Sequence, residues 1–440
     1  MRRLAPLVVA LALVAIAPAP VAAADILPAD ADATVTLGGS LGVASVYVGT
    51  QSACAILSDE SMRCWGTNTY GVLGDNSTTD SHLPVTVAGG HSWKTADVGS
   101  QSMCAITTGG ELYCWGVNDY GQLGTGVDGW GAGFEEHQPA RVGTDSDWIA
   151  VTGFNNTFCG LREGGSAWCW GYGGGGEIGN GDTVLRNVPT RVILSDDTNS
   201  AGFTAIDAGQ SMNCGIAGDG GLWCWGYDQA GALGASPSAG SVVNKASRVG
   251  GGTSWKSVAV GYLYACARTA AGAASCFGYN DSYQLGNGTN ADAASLTAVS
   301  GGHAWSDIGL GVSHTCGIDG TDLYCWGHNG WGEADWSFGD GTIATPRAMA
   351  TDVAWSDVDS GDYATCGVTE GDVWCWGSNS TLVLGDATNF LSAVARWVID
   401  GTAIPSTTAD GDLGLSAALA TIAALLAAAG VGLRLRAGRR

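Results

Sequence analysis

Positive charge is scarce in this 440-residue chain, which has 18 Lys and Arg against 41 Asp and Glu and a formal net charge of −23. Residues 25–412 keep all 41 acids but only 12 of the 18 cations, so this part carries −29. A surface of that charge repels nucleic acid and anionic lipid headgroups. We therefore expect no nucleic-acid partner, and the acidity indicates either a means of staying soluble or an acidic binding face.

Sequence motifs of catalysis are also missing. The chain has six histidines but no HExxH pair, no GxSxG elbow and no Walker phosphate loop. His91 and His303 share one repeat position, in GGHSW and GGHAW, which indicates loop residues of a scaffold. Asp-Gly runs at 179–182 and 339–342 resemble calcium loops but lack spaced ligands ending in Glu. We predict no cofactor, no metal and no catalytic residue.

Cysteine, by contrast, is present in a regular pattern. All 14 cysteines fall into seven pairs that recur every 50 to 55 residues. A repeat of that length is typical of propellers and solenoids. The pairs are Cys54 and Cys64, Cys104 and Cys114, Cys159 and Cys169, Cys214 and Cys224, Cys266 and Cys276, Cys316 and Cys325, and Cys366 and Cys375.

The segment between the two cysteines of each pair predicts a β-hairpin. In the second repeat the turn is Thr108-Gly109-Gly110, and Ile106 then lies opposite Leu112. The cysteine separation falls from ten to nine in the last two repeats, where the turn is also one residue shorter. Because the cysteines stay opposite each other, we predict seven disulfides, one across each hairpin. Zinc and redox sites favour CxxC-like pairs, and none occur here.

Each repeat predicts four strands. An aromatic-to-glycine block precedes the hairpin, Trp-Gly follows its second strand, and a turn leads to a fourth strand. Seven such units predict an all-β, seven-bladed β-propeller over residues 43–400. No aromatic-to-glycine block follows the last hairpin, so we expect residues 393–399 and 43–49 to complete one blade from both termini, which would close the ring.

The repeats resemble the regulator of chromosome condensation repeat family. The residues that carry the resemblance are WGVNDYGQLG at 115–124 and YNDSYQLG at 279–286. The resemblance implies a seven-bladed propeller. The family's namesake is a nuclear exchange factor for a small GTPase, so the name alone implies exchange-factor activity. A secreted bacterial propeller that inhibits β-lactamases through loop aromatics is the nearer analogue in location, and both proteins are binding modules.

The two ends of the chain predict export and anchoring. Residues 1–24 read as a signal peptide and 25–42 as a short stalk. A linker at 401–412 leads to the uncharged segment 413–433, a transmembrane helix or a processed sorting signal, and 434–440 is a basic cytoplasmic tail. We therefore expect a monomeric propeller in the cell envelope or at the cell surface, held at the membrane by its C-terminal helix.

Departures from the repeat indicate where function could lie. The second repeat has an insertion at 126–137, and the sixth replaces GQLG with a different sequence at 331–338. The candidate partner-binding residues are Trp130, Phe134, Glu135, Glu136, Trp331, Asp335, Trp336 and Phe338. Aromatic residues among acids predict a hot spot for an unknown protein or glycan. The alternatives are that these aromatics pack onto neighbouring blades, or that the chain is a hydrolase or lyase with a carboxylate site near the channel.

Overall fold

A computed structural model shows the fold. It describes residues 42–127, 135–196, 202–234, 240–251, 254–336, 341–349 and 353–385, together with the backbone of 392–398. The segments predicted as signal peptide, linker, membrane helix and basic tail lie outside these residues, as does the stalk except for its last residue. Within the described part there is no helix long and apolar enough to cross a membrane.

The described chain forms seven antiparallel sheets of four strands each, the seven blades of a propeller. Blade 1 contains β1 (Val43–Val48), β2 (Ser52–Leu57), β3 (Met62–Gly66) and β4 (Ser81–Thr86). Blade 2 contains β5 (Trp93–Val98), β6 (Ser102–Thr107), β7 (Leu112–Gly116) and β8 (Glu136–Arg141). Blade 3 contains β9 (Trp148–Phe154), β10 (Thr157–Arg162), β11 (Ala167–Gly171) and β12 (Arg186–Arg191). Blade 4 contains β13 (Phe203–Ala208), β14 (Met212–Ala217), β15 (Leu222–Asp228) and β16 (Ser241–Val249).

The remaining three blades repeat this order. Blade 5 contains β17 (Trp255–Val260), β18 (Tyr264–Thr269), β19 (Ala274–Gly278) and β20 (Ala293–Ala298). Blade 6 contains β21 (Trp305–Leu310), β22 (His314–Asp319), β23 (Asp322–His328) and β24 (Thr342–Ala348). Blade 7 contains β25 (Trp355–Ser360), β26 (Ala364–Thr369), β27 (Asp372–Gly377) and β28 (Ser392–Val398). The first strands of successive blades contact one another and surround the central channel.

The predicted blade built from both termini is wrong. Strand β1 pairs with β2 in the first blade, and β28 pairs with β27 in the last, so every blade consists of four consecutive strands. The reason is that each aromatic-to-glycine block forms a strand that pairs with the hairpin following it in the chain. The segment before Cys54 already pairs in this way with the first hairpin. The ring closes instead because the first and last blades pack side by side, with Val46 and Val48 against Val368 and Val373.

The seven predicted disulfides are confirmed. Each joins the two cysteines of one hairpin, whose Cα atoms are 4.0–4.1 Å apart. In the second blade Cys104 lies opposite Cys114 and Ile106 opposite Leu112, as the turn geometry predicts. All 14 cysteines are buried between blades, so the bridges form part of the core.

A buried tryptophan joins six of the seven blades to the blade before it. In six blades the indole Nε1 of the Trp after the second cysteine donates to a backbone carbonyl in the preceding blade. The bonds are Trp65 to Val383 (2.7 Å), Trp115 to Val72 (2.8 Å), Trp170 to Gln122 (2.9 Å), Trp225 to Glu177 (2.8 Å), Trp326 to Gln284 (2.9 Å) and Trp376 to Glu333 (2.9 Å). The fifth blade has Phe277 at this position, buried but without an N–H group. Each Trp therefore fixes the neighbouring loop as well as filling the core.

The glycines of the GQLG turn have a steric role. Gly121 has a φ of 74°, and a Cβ atom there would lie 2.8 Å from the Cα of Asn187 in the next blade. Only glycine fits both the backbone conformation and the close approach. The loop after the third strand is thus held against the fourth strand of the following blade.

The propeller has two distinct faces. We name the loop face after the connections it contains, those between the first and second strands and between the third and fourth strands of each blade. The opposite hairpin face contains the disulfide-bridged hairpin turns and the connections between blades. Backbone bonds such as Val117 N to Gln101 O hold the two kinds of loop-face connection together.

Candidate functional site

Exposed apolar side chains are concentrated at the loop face. Seven of the eight large hydrophobic residues that stand out as exposed lie in its loops or on the adjoining ends of the fourth strands. They are Val127, Tyr172, Val184, Val188, Val242, Trp331 and Tyr363. The eighth, Ile149, is the second residue of β9 and lies at the hairpin face, 37% exposed. The apolar surface of the described residues is therefore strongly one-sided.

Six of the apolar residues near the loop face form a patch across blades 2 to 4. The rings of Tyr120 and Tyr172 meet edge to face with centroids 5.5 Å apart, and Tyr172 is 42% exposed. The loops lie along the valines of the next blade, Gly126 beside Val188 and Gly176 beside Val242. We call this set the tyrosine patch; its members are Tyr120, Val127, Tyr172, Val184, Val188 and Val242.

A second exposed group lies on blades 6 and 7. Trp331 and Tyr363 are each 43% exposed, and the ring of Tyr363 is 6.5 Å from that of His328. His328 bonds through Nδ1 to Oε1 of Glu333, a fully buried carboxylate whose Oε2 accepts from Trp331 N at 2.8 Å. The bond to Glu333 raises the pKa of His328. Burial raises the pKa of Glu333, but the bond from His328 and the field of His314 outweigh burial and lower it.

The predicted partner-binding residues are placed differently from one another. Glu135 and Glu136 are exposed at the loop face, as is Trp331. Asp335 is buried and pairs with Nε of Arg347 at 2.8 Å, and Trp336 packs edge-on against Trp376 at 5.2 Å. Trp336 therefore packs onto the neighbouring blade, which was the stated alternative to binding a partner. Trp130, Phe134 and Phe338 lie outside the described residues.

The loop-face tyrosines could not be recognised as surface residues from the sequence. Tyr120 and Tyr172 occupy ordinary positions of the repeat, where a surface ring and a packed ring look alike in the sequence. Tyr363 lies two residues after Gly361, in the connection between the first and second strands of blade 7 (SGDYATC). The one available signal was that Tyr172 stands at the start of GYGGGGEIG, a turn that lacks the usual Asn.

A cavity of about 190 Å³, lined by both polar and apolar groups, lies between blades 7 and 1 beside Tyr363. Thr50, Asp362, Ser378 and Thr381 contribute to its lining. The Thr50 hydroxyl donates to Asp362 at 3.3 Å, and burial raises the pKa of that carboxyl. The cavity adds hydrogen-bonding groups next to an exposed ring, a combination suited to the edge of a protein interface.

Aspartates on the first strands form a second feature, inside the channel. Each keeps partial solvent contact, yet protein surrounds it and burial raises its pKa. The raised groups are Asp97 (to about 6), Asp207 (to about 7), Asp357 (to about 6), Asp307 and Asp359. Their oxygens bond to the next blade, Asp97 to Gly153 N (2.9 Å), Asp207 to Val260 N (2.6 Å) and Asp359 to Val48 N (2.7 Å).

These channel aspartates act as links between blades. Asp207 also accepts from the Thr152 hydroxyl at 2.6 Å, so both its oxygens have partners in neighbouring blades. Among the residues that the structure describes, no three or more His, Cys, Asp or Glu side chains are grouped so as to hold a metal ion. The arrangement therefore binds neighbouring strands together and leaves little free carboxylate for chemistry.

Comparisons with known proteins agree with this architecture. Two family models described as the regulator of chromosome condensation (RCC1) repeat match the chain, one over residues 43–72 and 94–122 and the other over 109–153 and 164–216. The ultraviolet-B receptor UVR8 of Arabidopsis thaliana is 29% identical over 169 residues, 37% of each chain. The mitochondrial RCC1 domain-containing protein RUG3 of the same plant is 28% identical over 200 residues, 42% of each chain. The chain thus spans about two fifths of the length of these curated relatives.

Solved structures extend the likeness to most of the chain. Yeast RCC1 (Prp20), crystallised with Kap60, has a TM-score of 0.68 and 16% identity over 84% of this chain and 86% of that one. Human WBSCR16 has a TM-score of 0.66 and 19% identity over 75% and 87%. At these identities the likeness shows the fold alone. The matching repeats and the seven blades support an RCC1-repeat β-propeller with paired cysteines.

Proposed function

We propose that this RCC1-repeat propeller is an interaction module that binds a protein partner through its loop face. The observation that carries the proposal is the one-sided exposure of apolar side chains, seven of eight at that face. Tyr and Trp provide large contact areas with few rotatable bonds, and they are enriched at interface hot spots. Tyr172, Trp331 and Tyr363 have these properties.

The scaffold supports binding because it holds the loops in place. Backbone and indole bonds tie the loop-face connections of one blade to the next, as between Trp115 and Val72. A disulfide crosses every hairpin. Loops fixed in this way lose little conformational entropy when a partner binds.

The solved relatives support a protein as the class of partner. Yeast RCC1 (Prp20) has been crystallised bound to Kap60, and the structure of Prp20p from Saccharomyces cerevisiae was described together with its binding to Gsp1p and histones. Those partners belong to those proteins. What we carry over is that propellers of this repeat type engage proteins, and the aliphatic side chains beside Tyr172 favour a protein surface over a glycan.

We further propose that the propeller acts outside the cytoplasm. Seven disulfides and no free cysteine among the described residues are consistent with an oxidising compartment. The sequence of residues 1–24 and 413–433 supports export and anchoring at the membrane. Protease treatment of intact cells should then digest the propeller, and digestion only after lysis would contradict this location.

The carboxylate alternative receives less support than binding. The channel aspartates are engaged with the backbone of adjoining strands, and the cavity beside Tyr363 contains no arrangement of nucleophile and base among the residues described. An exchange-factor role is supported by the family name alone. We therefore put forward one function.

The test compares capture of a partner by the full-length chain and by single variants. Tyr172→Ala, Trp331→Ala and Tyr363→Ala each remove one exposed ring, and Ile149→Ala is the matched control at the hairpin face. Proteins retained from envelope extracts are quantified by mass spectrometry, and the retained protein is then titrated against each purified variant. We expect about a tenfold or greater loss of affinity for loop-face variants and little change for Ile149→Ala. Unchanged affinity in all three loop-face variants would refute the proposal.

A further inference from the structure

We propose that the partner presents a cationic, Arg- or Lys-rich segment to the loop face. This inference rests on the proposed function and adds the chemistry of the partner. The described parts of the seven connections between the third and fourth strands contain ten Asp and Glu and no Lys or Arg. Seven of these acids are at least partly exposed; Glu177, Glu333 and Asp335 are buried. The connections between the first and second strands add Asp362 and again no cation.

The cations of the propeller lie toward the other face. Lys94 and Lys256 are second residues of first strands, which begin at the hairpin face. Arg162 ends a second strand and Arg141 ends a fourth strand, also at that face. Of the cationic side chains that the structure describes, Arg186 and Lys245 lie nearest the loop face. Arg186 pairs with Asp182 of its own blade, and Lys245 is engaged within the fold.

Two exposed acids of the loop face lie close to partly buried tyrosines. Asp119 is exposed and adjacent in sequence to Tyr120 of the tyrosine patch. Asp281 is exposed and accepts from the Tyr279 hydroxyl at 2.6 Å, and these contacts raise the pKa of Tyr279 to about 12. Carboxylates and aromatic rings on the same surface attract a guanidinium or ammonium group through charge and through cation–π contact.

A second copy of this chain fits the loop face less well. Three arginines at the hairpin face are paired with acids there, Arg141 with Glu111 at 3.0 Å, Arg162 with Asp147 at 2.7 Å and Arg248 with Asp219 at 2.9 Å. Head-to-tail stacking of propellers would therefore bring the acidic loop face against hairpin turns that also expose acids, among them Glu60, Glu163 and Glu370. Charge complementarity selects a different, cationic chain.

The experiment uses two triple variants of the full-length chain with the same change of net charge. Asp119→Asn, Glu136→Gln and Asp281→Asn neutralise exposed acids of the loop face, and Glu60→Gln, Glu163→Gln and Glu370→Gln neutralise exposed acids of hairpin turns. The probe is an Arg/Lys-rich peptide, with polyglutamate and a Gly/Ser peptide of equal length as comparisons. Binding is measured by fluorescence anisotropy at low and at physiological salt.

We expect the cationic peptide to bind the unmodified chain and the hairpin-turn triple alike, and the loop-face triple about tenfold more weakly, with a smaller dependence on salt. Equal weakening by both triples would show non-specific attraction to an acidic protein and overturn the proposal. Self-association by sedimentation that only the loop-face triple abolishes would also overturn it, in favour of a second copy. If ring variants abolish partner capture while the loop-face triple leaves it unchanged, this inference fails and the proposed function stands.

Discussion

The carboxylate of Asp359 in the last blade accepts a hydrogen bond from the backbone N–H of Val48 in the first, at 2.7 Å. The two residues are 311 positions apart, so the bond exists only when the ring is closed. Asp357 repeats the arrangement with Val46 N at 3.0 Å. Side-chain-to-backbone links thus replace the shared blade that the sequence suggested. They also place carboxyl groups where charge is unfavourable.

The stability of the propeller should fall as pH rises through neutrality. Burial, aided by the charge of Asp97, raises the pKa of Asp207 to about 7. The folded state therefore keeps a proton that the unfolded chain releases, and the resulting stability is full below about pH 4 and lost as pH passes about 7. His314, whose pKa burial lowers to about 4, opposes this trend only below about pH 6.5. We expect the free energy of unfolding, measured in urea, to fall between about pH 6.5 and 8.

Substitution Asp207→Asn tests which group is responsible. Asn mimics the protonated carboxyl and can donate to Thr152 Oγ1 while accepting from Val260 N. We expect the variant to be about 1–2 kcal/mol more stable than the unmodified chain at pH 8 and less sensitive to pH. Asp119→Asn, at an exposed site, should leave the pH profile unchanged. An Asp207→Asn variant that is less stable at every pH would contradict the pKa argument.

The hydrogen bond from the Trp indole to the preceding blade should contribute to the free energy of unfolding. Trp115→Phe keeps a buried ring but removes the donor to Val72 O, so a buried carbonyl loses its partner. We expect a loss of about 1–3 kcal/mol in urea unfolding. Phe277→Trp is the reverse change at the equivalent position of blade 5 and should be neutral or stabilising if the indole reaches the carbonyl of Ala232. Equal losses in both variants would indicate packing rather than hydrogen bonding.

Most of the propeller scaffold could be predicted from the sequence, because the patterns that indicate it are local and repeated. The cysteine spacing, the turn glycines and the Trp-Gly pairs together predict hairpins, bridges and blade number. The prediction that the two termini share a blade was wrong because the alternation of residues in a terminal strand is compatible with pairing in either of two neighbouring blades. Exposure of Tyr172 and burial of Asp335 depend on the packing of adjacent blades, which one repeat taken alone does not contain. The sequence suggested carboxylates near the channel but could not single out individual aspartates for the same reason, since their partners lie a whole blade away.

The disulfides should contribute modestly and independently. Each closes a loop of nine or ten residues within a hairpin that forms locally. Replacing Cys104 and Cys114 together by Ala should therefore lower stability by about 2–3 kcal/mol at most. An intact mass 14 hydrogens below the reduced chain, with peptide links confined to pairs within one hairpin, would agree with seven bridges. Links between hairpins would show that the pairing is different in solution.

Two glutamates at the same repeat position should respond in opposite ways to the same substitution. Glu177 and Glu333 both stand where other repeats have Gln122 and Gln284, whose Oε1 accepts from a backbone N–H two residues earlier. Glu177 Oε2 does the same with Gly175 N at 2.8 Å, and burial raises its pKa. Glu177→Gln keeps the bond and removes a buried charge, so we expect about 1 kcal/mol of stabilisation at neutral pH.

Glu333→Gln removes the same charge but also the partner of the His328 imidazolium. The pKa of His328, followed by NMR titration, should fall to or below its ordinary value, because the hydrogen bond to Glu333 is the main cause of its elevation. Stability should drop by about 1–3 kcal/mol near pH 6, where His328 is charged in the unmodified protein, and by less near pH 8. Because the raised pKa of His328 stabilises the folded state at low pH, the loss of stability in Glu333→Gln must become smaller as pH rises through that pKa. A deficit that grows with pH, or an unchanged His328 titration, would show that the two side chains are not coupled as the geometry indicates.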